Sequence, residues 1–166
     1  LETLASFIYF YEACNKSVMF DTEVTAVTDR NPEAGSPLFV LAQKHGWRCF
    51  DIKNGIGGRF SVLTDPGLVT AAAIGMNVEE LLKGAGEMEE ACRTDDVYAN
   101  PALMNAALKY IASERYGCHI EVFMGYGERL GSLGQWYVQL LAESLGKKHN
   151  RNGEIVYYGR TPVPAV

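Results

Sequence analysis

Residues 24–52 read VTAVTDRNPEAGSPLFVLAQKHGWRCFDI, and three changes of pattern within that run decide the fold class. Val24-Thr25-Ala26-Val27-Thr28 is a β-branched run that ends at Asp29, the composition of a short strand. Asn31-Pro32 and Gly35-Ser36-Pro37 punctuate a turn. Ser36 can cap the helix that follows, with Pro37 at its first position, where a missing N–H costs nothing. That helix runs to His45 and stops at Gly46. Residues 47–52 return to strand pattern. Strand, helix, strand in this order predicts a parallel βαβ unit and therefore an α/β fold.

The same reading extends outward. Leu4, Phe7, Ile8 and Tyr11 recur at three and four, so residues 1–13 are expected to be helical. Asn54-Gly55-Ile56-Gly57-Gly58 is a flexible loop, and Thr64-Asp65-Pro66 starts a helix through Ala73. Asn77 with Glu80 three residues on resembles a capping box, and residues 87–93 form a further helical piece. Asn100-Pro101 opens a long helix through Arg115 that Gly117 stops. Residues 118–124 and 154–158 have strand pattern, with a helix over 130–145 between them. The four strands near Val24, Trp47, Ile120 and Ile155 are not expected to share one sheet, because a long helical insertion separates the pairs. The polar run 147–153, which holds His149, reads as a solvated loop.

Composition narrows the function. The chain has 166 residues, 48% hydrophobic and 21% charged, enough for a soluble domain with a core. A net charge of −5 argues against nucleic acid or an anionic membrane as the main partner. No apolar run approaches the ~18 residues of a membrane span, and residues 1–9 lack the basic start of a signal peptide. Cys14, Cys49, Cys92 and Cys118 are widely spaced, so no metal site and reduced cytoplasmic thiols are expected. The chain has no initiator Met, Leu1-Glu2-Thr3-Leu4-Ala5 reads as a helix already under way, and Pro162-Val163-Pro164-Ala165-Val166 is apolar. The expectation is a piece of something larger.

Two segments carry candidate chemistry. Gly57-Gly58-Arg59 sets a guanidinium after two small residues, which lets an oxyanion or phosphate approach both backbone and fixed donors. The same residues also describe a tight loop with a surface arginine. Glu143 lies near the end of an apolar helix, with Gln139 one turn earlier on the same face. Flanking Leu140 and Leu141 suggest a mostly buried helix, in which the carboxylate can act as a general base. An exposed glutamate before the Gly146 stop is the alternative.

Residues 54–68 read N-G-I-G-G-R-F-S-V-L-T-D-P-G-L, which resembles the signature of the phosphoglucose isomerase family, a G-G-R-[FY]-S core followed by an apolar stretch and G-L. Residues 135–147, Q-W-Y-V-Q-L-L-A-E-S-L-G-K, resemble the family's second landmark, an aromatic-rich helix leading into Q-x-x-x-E-S-x-G-K. Asn100-Pro101-Ala102 and residues 120–124 fit the same order, so the resemblance covers nearly the whole chain.

The resemblance implies a sugar-isomerase (SIS-type) three-layer sandwich with parallel sheets. Residues 1–116 would be the latter part of a first SIS domain plus a helical connection, and 117–166 the start of a second. It implies interconversion of glucose 6-phosphate and fructose 6-phosphate through a cis-enediolate, in glycolysis and gluconeogenesis. Glu143 would be the base and then the acid, and Arg59 with the backbone at Gly58 would stabilise the enediolate. Gln139 would orient the substrate, and Glu2 would pair with a ring-opening histidine. His45, His119 and His149 do not occupy that histidine's position. A phosphate-binding loop, the ring-opening histidine and a distal lysine of the family have no counterpart in these residues, so the isolated chain is expected to be inactive. No cofactor and no metal are implied. The partners would be a sugar phosphate and, in the intact enzyme, a second subunit of a cytoplasmic homodimer. The rival expectation is a non-catalytic SIS-type module that binds a sugar phosphate.

Overall fold

The turn chemistry around Ser36 organises the first part of the chain. The computed structural model describes residues 2–14, 24–31, 33 and 35–165. It contains α1 (Glu2–Cys14), β1 (Thr25–Thr28), α2 (Pro37–His45) and β2 (Arg48–Asp51). The Ser36 hydroxyl accepts from the Phe39 amide at 3.4 Å and lies 2.7 Å from the Thr28 hydroxyl, so the cap is tied to the end of β1. Gly46 closes α2 at φ 70°, a conformation that favours glycine. β1 and β2 pair in parallel, from Thr25 opposite Arg48 to Thr28 opposite Asp51. The predicted βαβ unit is therefore present.

Trp47 anchors this unit. It is 5% exposed and packs with Ala26 and Ala42, with Phe7 and Tyr11 of α1 against it. Truncating such a side chain to Ala typically costs about 3–5 kcal/mol. Beyond β2 the chain forms a short 3₁₀ helix (Gly58–Leu63) and then α3 (Asp65–Ala73). Asp65 accepts from the Asp51 amide at 3.0 Å, which ties the start of α3 to the end of β2. Gly67 is required here, because a Cβ would sit 2.1 Å from the Val62 carbonyl oxygen.

Compact units run Leu1–Met76 and Asn77–Val166. The second holds α4 (Val78–Ala91), α5 (Pro101–Tyr116), β3 (Ile120–Met124), α6 (Gly131–Leu145), β4 (Lys147–His149), β5 (Ile155–Tyr158) and β6 (Thr161–Ala165). Asn77 caps α4 by accepting from the Glu80 amide at 3.1 Å. α4 runs unbroken where two pieces were expected. Gly84 and Gly86 each cost about 1 kcal/mol in a helix interior. A capped helix propagates through them, and Arg93 pairs with Glu89 and Glu90 at its far end.

β3 and β6 pair in parallel, Ile120 opposite Thr161 through Met124 opposite Ala165. β6 contains Pro162 and Pro164, which a strand tolerates only where no donor is needed. The Thr161 amide donates towards β3, to the His119 carbonyl at 3.0 Å. By the two-residue period the prolines then face away from β3. β4 and β5 form an antiparallel hairpin. The polar run at 147–153 is thus partly strand, with all of β4 exposed. The strands near Val24, Trp47, Ile120 and Ile155 do not share one sheet, as expected: the first two pair with each other, and the other two lie in two further two-stranded sheets. Among the described residues, no helix is long and apolar enough to cross a membrane.

Candidate active site

Arg59 stands in the first turn of the 3₁₀ helix, half-buried, with its guanidinium carbon 4.9 Å from the centre of the Phe60 ring. That stacking restricts the orientation of the guanidinium. The first bond of this turn is Phe60 N–H to the Gly57 carbonyl at 2.9 Å, so the amides of Gly58 and Arg59 precede it. The Ser61 hydroxyl donates to the Gly58 carbonyl at 2.7 Å and holds the turn closed. Gly57 has φ −66°, and a Cβ on Gly58 would meet nothing within 4 Å. Neither backbone strain nor crowding demands glycine at 58. Its bare backbone leaves room for a ligand beside Arg59.

Glu143 lies in the last turn of α6. The Gln139 side-chain amide donates to its Oε1 at 3.1 Å, so the predicted pair is assembled. Lys147 donates to the Glu143 carbonyl oxygen at 3.2 Å, closing the helix end. The expected burial differs. Gly134 is the buried residue of α6, and both Gln139 and Glu143 are exposed. The reason is that α6 packs through one stripe. A Cβ on Gly134 would sit 3.3 Å from both Phe123 and Pro164, so this face lies hard against β3 and β6. The opposite face carries the Gln139–Glu143 pair. Arg59 belongs to the first unit and Glu143 to the second. The Glu2 side chain lies outside the described residues.

The sequence reading missed a polar cluster beneath α6. Lys109 of α5 and the Tyr137 hydroxyl of α6 both donate to Oε1 of Glu121 on β3. Lys109 and Tyr137 are themselves 2.6 Å apart. The side chains of Lys109 and Glu121 are 29% and 14% exposed, so this is a largely desolvated ion pair. Arg160 donates to the Lys109 carbonyl and adds a second positive charge near Glu121. Burial alone would raise the Glu121 carboxyl, but the hydrogen bonds and the charges of Lys109 and Arg160 outweigh it and hold it below the usual carboxylate range. Burial alone would lower Lys109, yet its bonds to Glu121 and Tyr137 and its attraction to both keep it above the usual lysine range. Burial, then the bond to Glu121, pushes the Tyr137 phenol up. A glutamate at the second position of an apolar strand was the available signal.

The phosphoglucose isomerase family model matches residues 42–164. The glucose-6-phosphate isomerase of Carboxydothermus hydrogenoformans is 43% identical, over 99% of this chain and 35% of its own length. The probable glucose-6-phosphate isomerase of Methanococcus maripaludis is 36% identical, over 100% of this chain and 35% of its own. A crystal structure of a hypothetical protein from Thermus thermophilus superposes with a TM-score of 0.81 at 34% identity, covering 98% of this chain and 36% of that one. The chain spans about a third of the length of the curated relatives it matches. On the match over residues 42–164, which takes in both the Arg59 turn and the Gln139–Glu143 helix end, the chain belongs to the phosphoglucose isomerase family.

Proposed function

We propose that the full-length protein carrying this chain interconverts glucose 6-phosphate and fructose 6-phosphate, an aldose–ketose isomerisation of glycolysis and gluconeogenesis. The observation that carries the reading is the Gln139–Glu143 hydrogen bond, 3.1 Å long, on the exposed end of α6 in a chain of this family. A neutral amide donor orients the carboxylate without adding a positive charge beside it, which suits a general base. Glu143 takes the proton from C2 of the open-chain aldose, and the electron pair moves into a C1–C2 double bond as the carbonyl oxygen gains negative charge. The protonated Glu143 then returns the proton to C1 while the O2 hydroxyl proton passes to O1, which leaves the carbonyl at C2 and a hydroxyl at C1. Arg59, with the amides at Gly58, stabilises the developing oxyanion by charge already in place. Gln139 orients Glu143 and the substrate hydroxyls, and Glu2 pairs with a ring-opening histidine. The chemistry needs no metal and no organic cofactor.

The same proposal covers the finer architecture. The parallel pairs β1–β2 and β3–β6 are read as parts of SIS-type sandwiches, with a boundary near Gly117, whose φ of 64° ends α5. The intact protein is proposed to be a cytoplasmic homodimer.

The test is Glu143→Gln in the full-length protein, read as exchange of the C1/C2 proton with labelled solvent. The variant should stay folded and lose the exchange. Retained exchange would remove Glu143 from the role of base. Sugar-phosphate binding by the parent protein with no turnover would favour the non-catalytic binding module instead.

A further inference from the structure

Resting on the isomerase reading above, we infer that Glu121, Tyr137 and Lys109 are positioning residues for the proton transfer, because they set the roll of α6 and with it the direction of Glu143. Three donors and acceptors from three elements meet at one carboxylate oxygen: Lys109 from α5, Glu121 from β3 and Tyr137 from α6. The Tyr137 ring also lies against Phe123 of β3, with centroids 5.3 Å apart, and Lys109 Nζ stands 5.2 Å from its centroid. One turn earlier Gly134 packs against Phe123 and Pro164. α6 is therefore fixed along its length at Gly134 and about its axis at Tyr137.

Helical geometry turns that grip into a lever. At about 100° per residue, Gln139 lies roughly 200° around the helix from Tyr137, and Glu143 roughly 240°. The clamp is thus on the inner side and the Gln139–Glu143 pair on the outer side, as their exposure also shows. A roll of about 10° carries a side-chain tip some 6 Å from the axis through about 1 Å. An error of that size between base and reacting carbon is enough to cost on the order of 10²-fold in rate. Glu121 holds its other oxygen, Oε2, buried and without a hydrogen-bond partner, so the carboxylate is committed to this grip through Oε1 alone.

The experiment uses the full-length protein and measures the fraction of transferred protons lost to labelled solvent per turnover. This ratio does not depend on how much enzyme is folded. When Glu143 is misaligned, the proton it has taken from C2 waits longer before reaching C1, and exchange with water gains. Tyr137→Phe removes the hydroxyl and keeps the ring. It should lower kcat about 10- to 100-fold, change KM by less than about twofold, and at least double the exchanged fraction. Glu121→Gln should do the same, and Lys109→Arg, which keeps a cation, should stay near the parent ratio. An exchanged fraction unchanged in both Tyr137→Phe and Glu121→Gln overturns the inference, whatever happens to kcat or to melting temperature. If Glu121→Gln does not fold, Tyr137→Phe alone decides. Glu143→Gln is run beside them. If Glu143→Gln retains exchange, the assignment of the base has failed, which is a different result from an unmoved ratio in the clamp variants.

Discussion

Replacing Asn100 by Ala should destabilise the second unit more than the loss of an ordinary helix cap. Asn100 is 4% exposed and makes four side-chain hydrogen bonds. Its oxygen accepts from the amides of Ala102 and Leu103, each at 3.0 Å, which is the cap of α5. Its nitrogen donates to the carbonyls of Cys92 at 2.9 Å and Thr94 at 2.8 Å, which ties the end of α4 to the start of α5. The cap alone contributes about 1 kcal/mol. Orphaning the two carbonyls adds about 1 kcal/mol each, for about 3 kcal/mol in total. Asn77→Ala is the reference. It removes a cap with one bond, 3.1 Å to the Glu80 amide on an exposed helix end, and should cost about 1 kcal/mol. Native-state hydrogen exchange reads both variants. Amides in the first turn of α5 should lose about two orders of magnitude of protection in Asn100→Ala, and the first turn of α4 about fivefold in Asn77→Ala. Equal losses in the two variants would refute the claim that the Cys92 and Thr94 bonds matter to the junction.

Three further outcomes are expected. Gly67→Ala should disrupt the 58–63 turn, since its Cβ falls 2.1 Å from the Val62 oxygen, and a melting temperature equal to that of the parent would contradict this packing. Glu121 has a lowered folded pKa, so its contribution to stability is present above the ordinary carboxylate value and is lost as pH falls through the lowered one. Lys109 and Tyr137 have raised values, so theirs is present below their ordinary values and is lost as pH rises through the raised ones. The stability gap between the parent and Glu121→Gln should therefore be flat near neutrality and shrink in acid, and a pH-independent gap down to full protonation would refute the ion pair. Arg59→Lys should lower kcat about 10²–10³-fold, because a point charge replaces a fixed fork, and an unchanged kcat would remove Arg59 from the oxyanion site.

Much of the fold was legible because its signals are local. Ser36, Asn77 and Asn100 each cap a helix within three residues of themselves, and Gly46 and Gly117 close helices through their own φ of 70° and 64°. Gln139 and Glu143 were legible for the same reason, being one turn apart. What was not legible is non-local. Lys109, Glu121 and Tyr137 lie 12 to 28 residues apart, and no spacing rule brings them to one oxygen. The exposure of Glu143 depends on which stripe of α6 meets β3 and β6, a choice made by Gly134 rather than by the leucines beside the glutamate. The expected separation of residues 87–93 from the Asn77 cap falls where Gly84 and Gly86 interrupt the helical pattern. Their cost is small once a cap has nucleated the helix. The hairpin at 147–158 was hidden because β4 is made of Lys147, Lys148 and His149, residues with no strand signature, and its partner β5 supplies the pairing.

The central claim is that Glu143 moves the substrate's proton, and a crystal structure of the full-length protein with a stable enediolate mimic tests it most directly. The account predicts a Glu143 oxygen about 3 Å from the atoms standing in for C1 and C2. A bound mimic with the Glu143 side chain turned away from it would contradict the account.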